Sequence, residues 1–193
     1  MSIFNDAFNM PSETPESRLR LAVQRDDIKT ARELLESGVD FNAQDNKGFT
    51  ALMVAARNGR TACAELLLQY GADMDKTDKQ GNSALVWASF YGNEEIAISL
   101  AEKGADLNLR GSRGTALTCA TFFNREEIVR TLLRLGADTD QPDPAGKTAK
   151  RLAREKGFKV IDGLLHDITL RKLQKNLRGD EARRKRPRPK FKP

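Results

Sequence analysis

A short motif that recurs every 33 residues is the feature that most constrains the fold of this chain. The sequence Gly-Ala-Asp begins at Gly71, Gly104 and Gly136, and a close copy, Gly-Val-Asp, begins at Gly38. The successive spacings are 33, 33 and 32 residues. A fixed period of this length indicates a repeat architecture, in which each unit packs only on its neighbours.

A second marker keeps the same period. Each copy has a glycine, then Thr or Ser within two residues, and then Ala. The hydroxyl side chains are placed to accept from the first unpaired amides of a helix, which predicts N-caps at Thr50, Ser83, Thr115 and Thr148. Residues that tolerate a left-handed backbone follow about nine positions later and predict turns at Gly59, Gly92, Asn124 and Gly157.

A second amphipathic helix follows each of these turns. Its apolar residues recur at helical spacing over Thr61–Tyr70, Glu94–Lys103 and Arg125–Leu135. Each helix is followed by an extended stretch rich in Asp, Asn and Gly that leads to the next unit. Every unit is therefore predicted to be a helix, a turn, a second helix and a projecting loop.

These residues resemble the ankyrin repeat family, whose unit has about 33 residues. Thr50–Ala56 reads T-A-L-M-V-A-A and Leu67–Asp73 reads L-L-Q-Y-G-A-D, close to the family's T-P-L-H-x-A-A and L-L-x-x-G-A-D motifs. The resemblance implies an all-α solenoid of helix–turn–helix units with projecting β-turn loops. It covers residues 15–165 and implies five units, near 15–44, 45–77, 78–109, 110–142 and 143–165.

The two ends of the chain lie outside these units. We expect residues 1–14 to form a flexible N-terminal extension. The apolar spacing from Lys159 onward predicts one long closing helix, with residues 166–178 as its extension. Residues 179–193 are predicted to form a disordered basic tail.

The formal charge of +6 is unevenly distributed along the chain. Residues 171–193 hold eleven basic and two acidic residues, which is +9, whereas the other 22 basic and 25 acidic residues leave −3 on residues 1–170. The basic positions singled out as a polyanion contact or an import signal are Arg171, Lys172, Arg183, Arg184, Lys185, Arg186, Arg188 and Lys190. Two clusters ten residues apart resemble a bipartite nuclear import signal. The same composition also suits contact with nucleic acid or a ribosome, or a purely solubilising tail.

The resemblance also implies where a protein partner would dock, at the loop tips and the exposed ends of the first helices. The residues that the repeat phase places there are Phe49, Arg57, Asn58, Phe90, Tyr91, Arg110, Arg113, Phe122 and Phe123. Four of these are aromatic where the family is usually variable and polar: Phe90, Tyr91, Phe122 and Phe123. They are interpreted as a binding surface, with packing inside the stack as the alternative. Trp87 is predicted to be a core residue.

The inventory of reactive side chains argues against catalysis. The single histidine, His166, has no Ser or Cys nucleophile in register, and Cys63 and Cys119 fall at core positions of the repeat. No metal-ligand spacing and no phosphate-binding glycine motif occurs, so we expect no enzyme, no metal site and no cofactor.

The predicted function is that of a protein-binding module or adaptor. The alternatives are a structural subunit of a nucleic-acid-associated assembly and a stoichiometric inhibitor of an enzyme. Neither a signal peptide nor an apolar run long enough for a bilayer is visible, which favours an intracellular protein, cytoplasmic or, in a eukaryote, nuclear. The expected partners are an unidentified protein and, through the tail, nucleic acid or an import receptor. The chain is expected to be a monomer without its partner.

Overall fold

The computed structural model describes residues 14–184 of the chain. Its ten helices are α1 (Pro15–Arg25), α2 (Ile28–Glu36), α3 (Ala51–Asn58), α4 (Thr61–Gln69), α5 (Ala84–Tyr91), α6 (Glu94–Glu102), α7 (Ala116–Phe122), α8 (Glu126–Arg134), α9 (Ala149–Lys156) and α10 (Lys159–Arg184). They form five successive pairs, and the described residues contain isolated β-bridges but no extended strand. The predicted all-α solenoid is confirmed.

The helices form two layers. Each odd-numbered helix packs on the next odd-numbered one, and each even-numbered helix packs on the next even-numbered one. The even layer shows why the period matters: it buries a leucine at the same phase of every unit, at Leu34, Leu67, Leu100, Leu132 and Leu165. A single continuous core therefore runs the length of the stack.

Local sequence signals set the ends of the odd-numbered helices. The hydroxyls of Thr50, Ser83, Thr115 and Thr148 each accept a hydrogen bond from the backbone N–H three residues later, at 3.2, 3.4, 3.2 and 3.4 Å. Thr14 does the same for α1 at 3.2 Å. Asn124 takes the left-handed conformation, with φ of 56°, where the second, third and fifth units use glycine and the first uses Asp26. The predicted N-caps and this turn are confirmed.

Projecting loops, here called fingers, precede four of the odd-numbered helices and span residues 45–49, 78–82, 111–114 and 143–147. In the first, second and fourth fingers one aspartate accepts two backbone N–H bonds from residues two and four positions later; these are Asp45, Asp78 and Asp143. Neighbouring fingers are joined by backbone hydrogen bonds, from Lys79 N to Lys47 O at 3.1 Å and from Ser112 N to Gln80 O at 2.8 Å. The fingers thus form a hydrogen-bonded row along one face.

The closing helix differs from its prediction in length. Ile161 and Leu165 bury its first turns against the last units, as expected for the final even-numbered helix. The sequence placed its end at residue 178, but the helix continues to Arg184. Residues 180–184 are Asp-Glu-Ala-Arg-Arg, and the first residue that cannot continue a helix is Pro187. The predictions for residues 1–13 and 185–193 lie outside the described residues.

Candidate functional site

Six aromatic rings form a continuous chain across the second, third and fourth units. Three come from α5, two from the end of α7 and its C-cap, and one from the first finger: Trp87, Phe90, Tyr91, Phe122, Phe123 and Phe49. We call these six residues the aromatic ridge. Their neighbouring ring centroids are 4.8–6.4 Å apart, in tilted, edge-to-face and stacked contacts. Such contacts stabilise each other beyond simple burial of area.

The ridge has a buried base and an exposed crest. Trp87 and Phe49 are only 4% and 9% exposed, and their centroids lie 5.2 Å apart. The crest consists of Tyr91, Phe122 and Phe123, which remain 43%, 44% and 37% exposed. Large apolar side chains at this exposure, gathered in one place, are typical of interaction surfaces. Phe90 is half-buried and connects the two groups of rings.

Three cations accompany the ridge. The guanidinium carbon of Arg113 lies 4.3 Å from the Trp87 centroid and 4.1 Å from that of Phe90. Arg57 lies 5.7–6.0 Å from the centroids of Phe49, Trp87 and Tyr91. At the other end, Lys156 Nζ lies 3.8 Å from the centroid of Phe122. A cation over a ring face is attracted to the ring's negative quadrupole, so each of these contacts orders a charged side chain beside the aromatics.

One buried carboxylate anchors this arrangement. Asp78, which is 5% exposed, accepts from the Trp87 indole Nε1 at 3.0 Å and from the backbone and side-chain amides of Asn82 at 2.9–3.2 Å. The side-chain oxygen of Asn82 then accepts from the backbone N–H of Arg113 at 3.2 Å. The second finger therefore positions both the indole at the base of the ridge and the third finger, which supplies the cation above it.

Two cavities flank the ridge. The first, of about 340 Å³, lies between the first three fingers and α5 and is lined by Asn46, Lys47, Phe49, Arg57, Asp78, Lys79, Gln80, Trp87, Tyr91 and Arg113. The second, of about 160 Å³, lies beside the end of α7 and includes Phe90, Phe122, Phe123 and Asp143. Arg113 lines both cavities. The Nε of Arg113 is buried and has no hydrogen-bond acceptor within residues 14–184.

The charged side chains that line the first cavity are mostly basic. Its four cationic side chains are Lys47, Arg57, Lys79 and Arg113. Its one carboxylate, Asp78, is already committed to hydrogen bonds with Trp87 and Asn82. The cavity therefore favours an anionic group placed next to aromatic surface.

Lys156 extends the basic lining to the far end of the ridge. Glu155 beside it is paired with Lys147 and with Arg151, at 2.8 Å for the latter. Hydrogen bonds from these two side chains hold the pKa of the Glu155 carboxyl below its usual value. The acidic neighbour is thus occupied by other cations, and Lys156 remains beside Phe122.

Only some of the residues that the sequence predicted for partner binding lie together in the structure. Phe90, Tyr91, Phe122 and Phe123 come together as expected, and Arg57 joins them. Phe49 was placed on the exposed surface; it is instead buried, because it packs against Trp87 beneath Arg57. Asn58 is exposed at the end of α3 and lines neither of the two cavities.

The two arginines predicted to bind a partner near the third finger, Arg110 just before it and Arg113 within it, make different contacts. Arg110 is exposed, and its guanidinium donates to the Asp143 carbonyl at 3.1 Å, which joins the third finger to the fourth. Arg113 turns inward over the rings. Sequence reasoning missed the role of Asp78. The only available signal was an aspartate at the same phase in three fingers and an Asn two residues before Ala in one of them.

Trp87 is a buried residue, as predicted from its apolar position, and it also forms the base of the ridge. Its single indole therefore belongs to the core and to the site. Lys156 was not among the residues predicted to bind a partner. Its contact with Phe122 adds it to the site.

The two cysteine thiols of the described chain are shielded from solvent. Burial raises the pKa of the Cys63 thiol to about 11, with a further contribution from its hydrogen bond to Asp26. Burial likewise raises the pKa of Cys119 to about 12, and its Sγ donates to the Arg113 carbonyl at 3.3 Å. Both thiols are free and protonated at neutral pH. Within residues 14–184, no group of three His, Cys, Asp or Glu side chains could hold a metal ion.

Half of the residues predicted for polyanion contact lie in the closing helix. Arg171, Lys172, Arg183 and Arg184 fall within α10, which extends past the last packed unit. Lys185, Arg186, Arg188 and Lys190 lie outside the described residues. None of the helices from α1 to α10 is both long enough and apolar enough to cross a membrane.

Comparison with known proteins agrees with the repeat architecture. A profile of three ankyrin repeats matches residues 19–111, and a single ankyrin repeat profile matches residues 114–144. Together these matches cover most of α1 to α8 and all of the aromatic ridge. Among curated proteins, no sequence matches the chain.

Proposed function

Since the chain belongs to the ankyrin repeat family, whose members generally mediate protein–protein interactions, we propose that it is a non-catalytic adaptor that captures a protein partner on the aromatic ridge. The single observation that carries the proposal is the exposed crest of the ridge. Tyr91, Phe122 and Phe123 stay open to solvent although the rest of the six-ring chain is packed. Aromatic anchors surrounded by polar groups supply most of the binding energy in protein interfaces.

The cations define the chemistry of the partner. Arg57 and Arg113 both lie near the indole of Trp87, and Lys47 and Lys79 border the same cavity. A carboxylate placed there would receive charge-assisted hydrogen bonds, while a neighbouring apolar side chain would pack on the rings. The partner is accordingly a protein segment that combines acidic and aromatic or aliphatic residues.

Matched pairs of exposed apolar residues allow a direct test of this surface. One variant replaces two crest residues, Tyr91→Ser and Phe122→Ser, and the control replaces two residues of the even layer, Leu135→Ser and Val160→Ser. The control residues are exposed to a comparable extent, 38% and 46%. Partners captured by the purified chain and identified by mass spectrometry should be lost with the crest variant and kept with the control. Retention of the same partners by the crest variant would refute the proposal.

Both variants should remain folded. Crest and control side chains are each about half exposed, so truncation costs on the order of 1 kcal/mol and lowers the melting temperature by a few degrees. Melting curves measured by circular dichroism check this point. A collapse of the crest variant alone would mean that the rings serve the core, which is the alternative left open by the sequence.

The basic end of the chain supports a second role, contact with a polyanion or an import receptor. The supporting observation is that α10 continues past its buried residues Ile161 and Leu165 to Arg184 and includes four of the basic positions, Arg171, Lys172, Arg183 and Arg184. The two surfaces could then act together, because tethering raises the effective concentration at the second site. Capture carried out with and without nuclease separates this adaptor from a structural subunit of a nucleic-acid-associated assembly. A stoichiometric inhibitor would use the ridge in the same way.

A further inference from the structure

The first 13 residues have the composition that the aromatic ridge favours. They contain no Lys or Arg and two acidic residues, Asp6 and Glu13. Their large apolar residues are Met1, Ile3, Phe4, Phe8 and Met10. This is the combination of carboxylates and apolar side chains that suits a surface of rings bordered by cations.

Charge complementarity distinguishes this segment from the other part of the chain that lies outside the structure. Residues 185–193 include five basic and no acidic side chains and would be repelled by the lining of the first cavity. The N-terminal segment would instead place Asp6 near Arg57 and Arg113, whose guanidinium groups lie beside Trp87. Phe4 and Phe8 would then supply apolar contacts to the crest.

The segment is long enough to reach the ridge. It joins the described chain at Thr14, the N-cap of α1. Helix α1 packs on α3 and α3 packs on α5, so the ridge begins two helix spacings away, about 20 Å. Thirteen extended residues span up to about 43 Å, roughly twice that distance.

We infer that residues 1–13 bind the aromatic ridge of their own chain and compete there with the protein partner. The inference rests on the proposed function, because it assigns an occupant to the same surface. A short tether gives an effective concentration of about 1 mM, so an intrinsic dissociation constant of about 100 µM is enough to occupy most of the sites. A partner would then bind the wild-type chain about tenfold more weakly than a chain whose segment cannot bind.

The fluorescence of Trp87 can be used to measure this competition. Trp87 is the only tryptophan, it lies at the base of the ridge, and residues 1–13 contain no Trp or Tyr. A synthetic peptide of residues 2–13, acetylated and amidated to remove its terminal charges, can therefore be titrated while Trp87 emission is followed. The full-length proteins to compare are the wild type, a Phe4→Ser/Phe8→Ser variant and an Asn5→Ser/Asn9→Ser control.

We expect the peptide to bind the Phe4→Ser/Phe8→Ser variant about tenfold more tightly than it binds the wild type or the control. Adding Tyr91→Ser and Phe122→Ser to the Phe4→Ser/Phe8→Ser variant should abolish that binding. Equal affinity for all three proteins, no binding to the Phe4→Ser/Phe8→Ser variant, or binding that survives the loss of the crest would each overturn the inference. These results leave the proposed function standing if the crest variant still loses its partner, whereas partner capture that survives the loss of the crest defeats the proposed function itself.

Discussion

The indole Nε1 of Trp87 donates a hydrogen bond to Oδ2 of Asp78 at 3.0 Å, so a carboxylate from a finger holds the base of the aromatic ridge. The two oxygens of Asp78 also accept from Gln80 N, Asn82 N and Asn82 Nδ2, which means that every neighbour in hydrogen-bond contact is a donor. The aspartates at the same phase, Asp45 and Asp143, accept through one oxygen only. Of these three fingers, the second is therefore the one whose aspartate also holds side chains of the ridge and of its own loop.

Replacing Asp78 by Asn should destabilise the fold and disturb Trp87. The side-chain NH₂ of Asn can only donate, and every hydrogen-bond neighbour of the Asp78 carboxylate is also a donor. At least one buried hydrogen bond is therefore lost, at a cost of about 1–3 kcal/mol. Asp45→Asn is the matched control, because its unused oxygen can become the amide nitrogen and face away from the backbone donors. Urea unfolding monitored by Trp87 emission measures both. Equal destabilisation by the two substitutions would contradict the central role of Asp78.

Gly48→Ala should cost more stability than Gly146→Ala, the same position in the last finger. Both glycines have positive φ, +85° and +76°, so both substitutions incur backbone strain of about 1 kcal/mol or more. At Gly48 the added Cβ would also lie 2.6 Å from Lys79 N and 2.9 Å from Asp78 Cα, whereas at Gly146 nothing lies within 4 Å. Thermal unfolding of the two variants measures the difference, which reports how tightly the first two fingers pack. Equal losses would show that this contact is not required.

The two buried thiols predict a loss of stability at alkaline pH. Burial raises the pKa of Cys63 from 9.0 to about 11 and that of Cys119 to about 12. Between about pH 9 and pH 11 the unfolded chain releases thiol protons that the folded chain retains, so the free energy of unfolding falls as pH rises through this window. Below pH 9 this contribution is fully present. A Cys63→Ala/Cys119→Ala variant should show a smaller decline between about pH 8 and pH 10.5, and an undiminished decline would assign the effect to other groups.

Basic residues at the end of the chain predict salt-dependent binding to single-stranded RNA. Substituting Arg183, Arg184, Lys185 and Arg186 by Gln should reduce the slope of log affinity against log salt concentration by about 0.7 for each charge removed, or about three in all. Fluorescence anisotropy with labelled poly(U) measures the slope, and the crest variant is the control that should bind RNA normally. An unchanged slope would exclude these four residues from the contact. Binding to an import receptor without affinity for RNA would assign the tail to nuclear import instead.

The repeat architecture could be predicted from the sequence because its signals are local. Thr50, Ser83, Thr115 and Thr148 cap helices through bonds to residues three positions away, and a cap depends on little else. The phase of the repeat then placed Tyr91 and Phe122 at the ends of their helices, where they are exposed. Position within a repeat is enough to say which residues share a face.

The detail of the site depended on contacts between units, which no local pattern encodes. Arg113 lies over the rings because its backbone is bonded to Asn82, a residue 31 positions earlier. Phe49 is buried because Trp87, from the next unit, packs against it. The third finger is one residue shorter than the others, which the 32-residue spacing shows in the sequence. The direction of the Arg113 side chain could not be predicted from it.

Site-specific cross-linking tests the central claim most directly. The photoreactive amino acid p-benzoylphenylalanine can replace Tyr91 on the crest of the ridge or Leu135 in the even layer, two residues of similar exposure. The proposed function predicts that the partner is cross-linked from position 91 and not from position 135. Cross-linking of the partner from position 135 alone would contradict it.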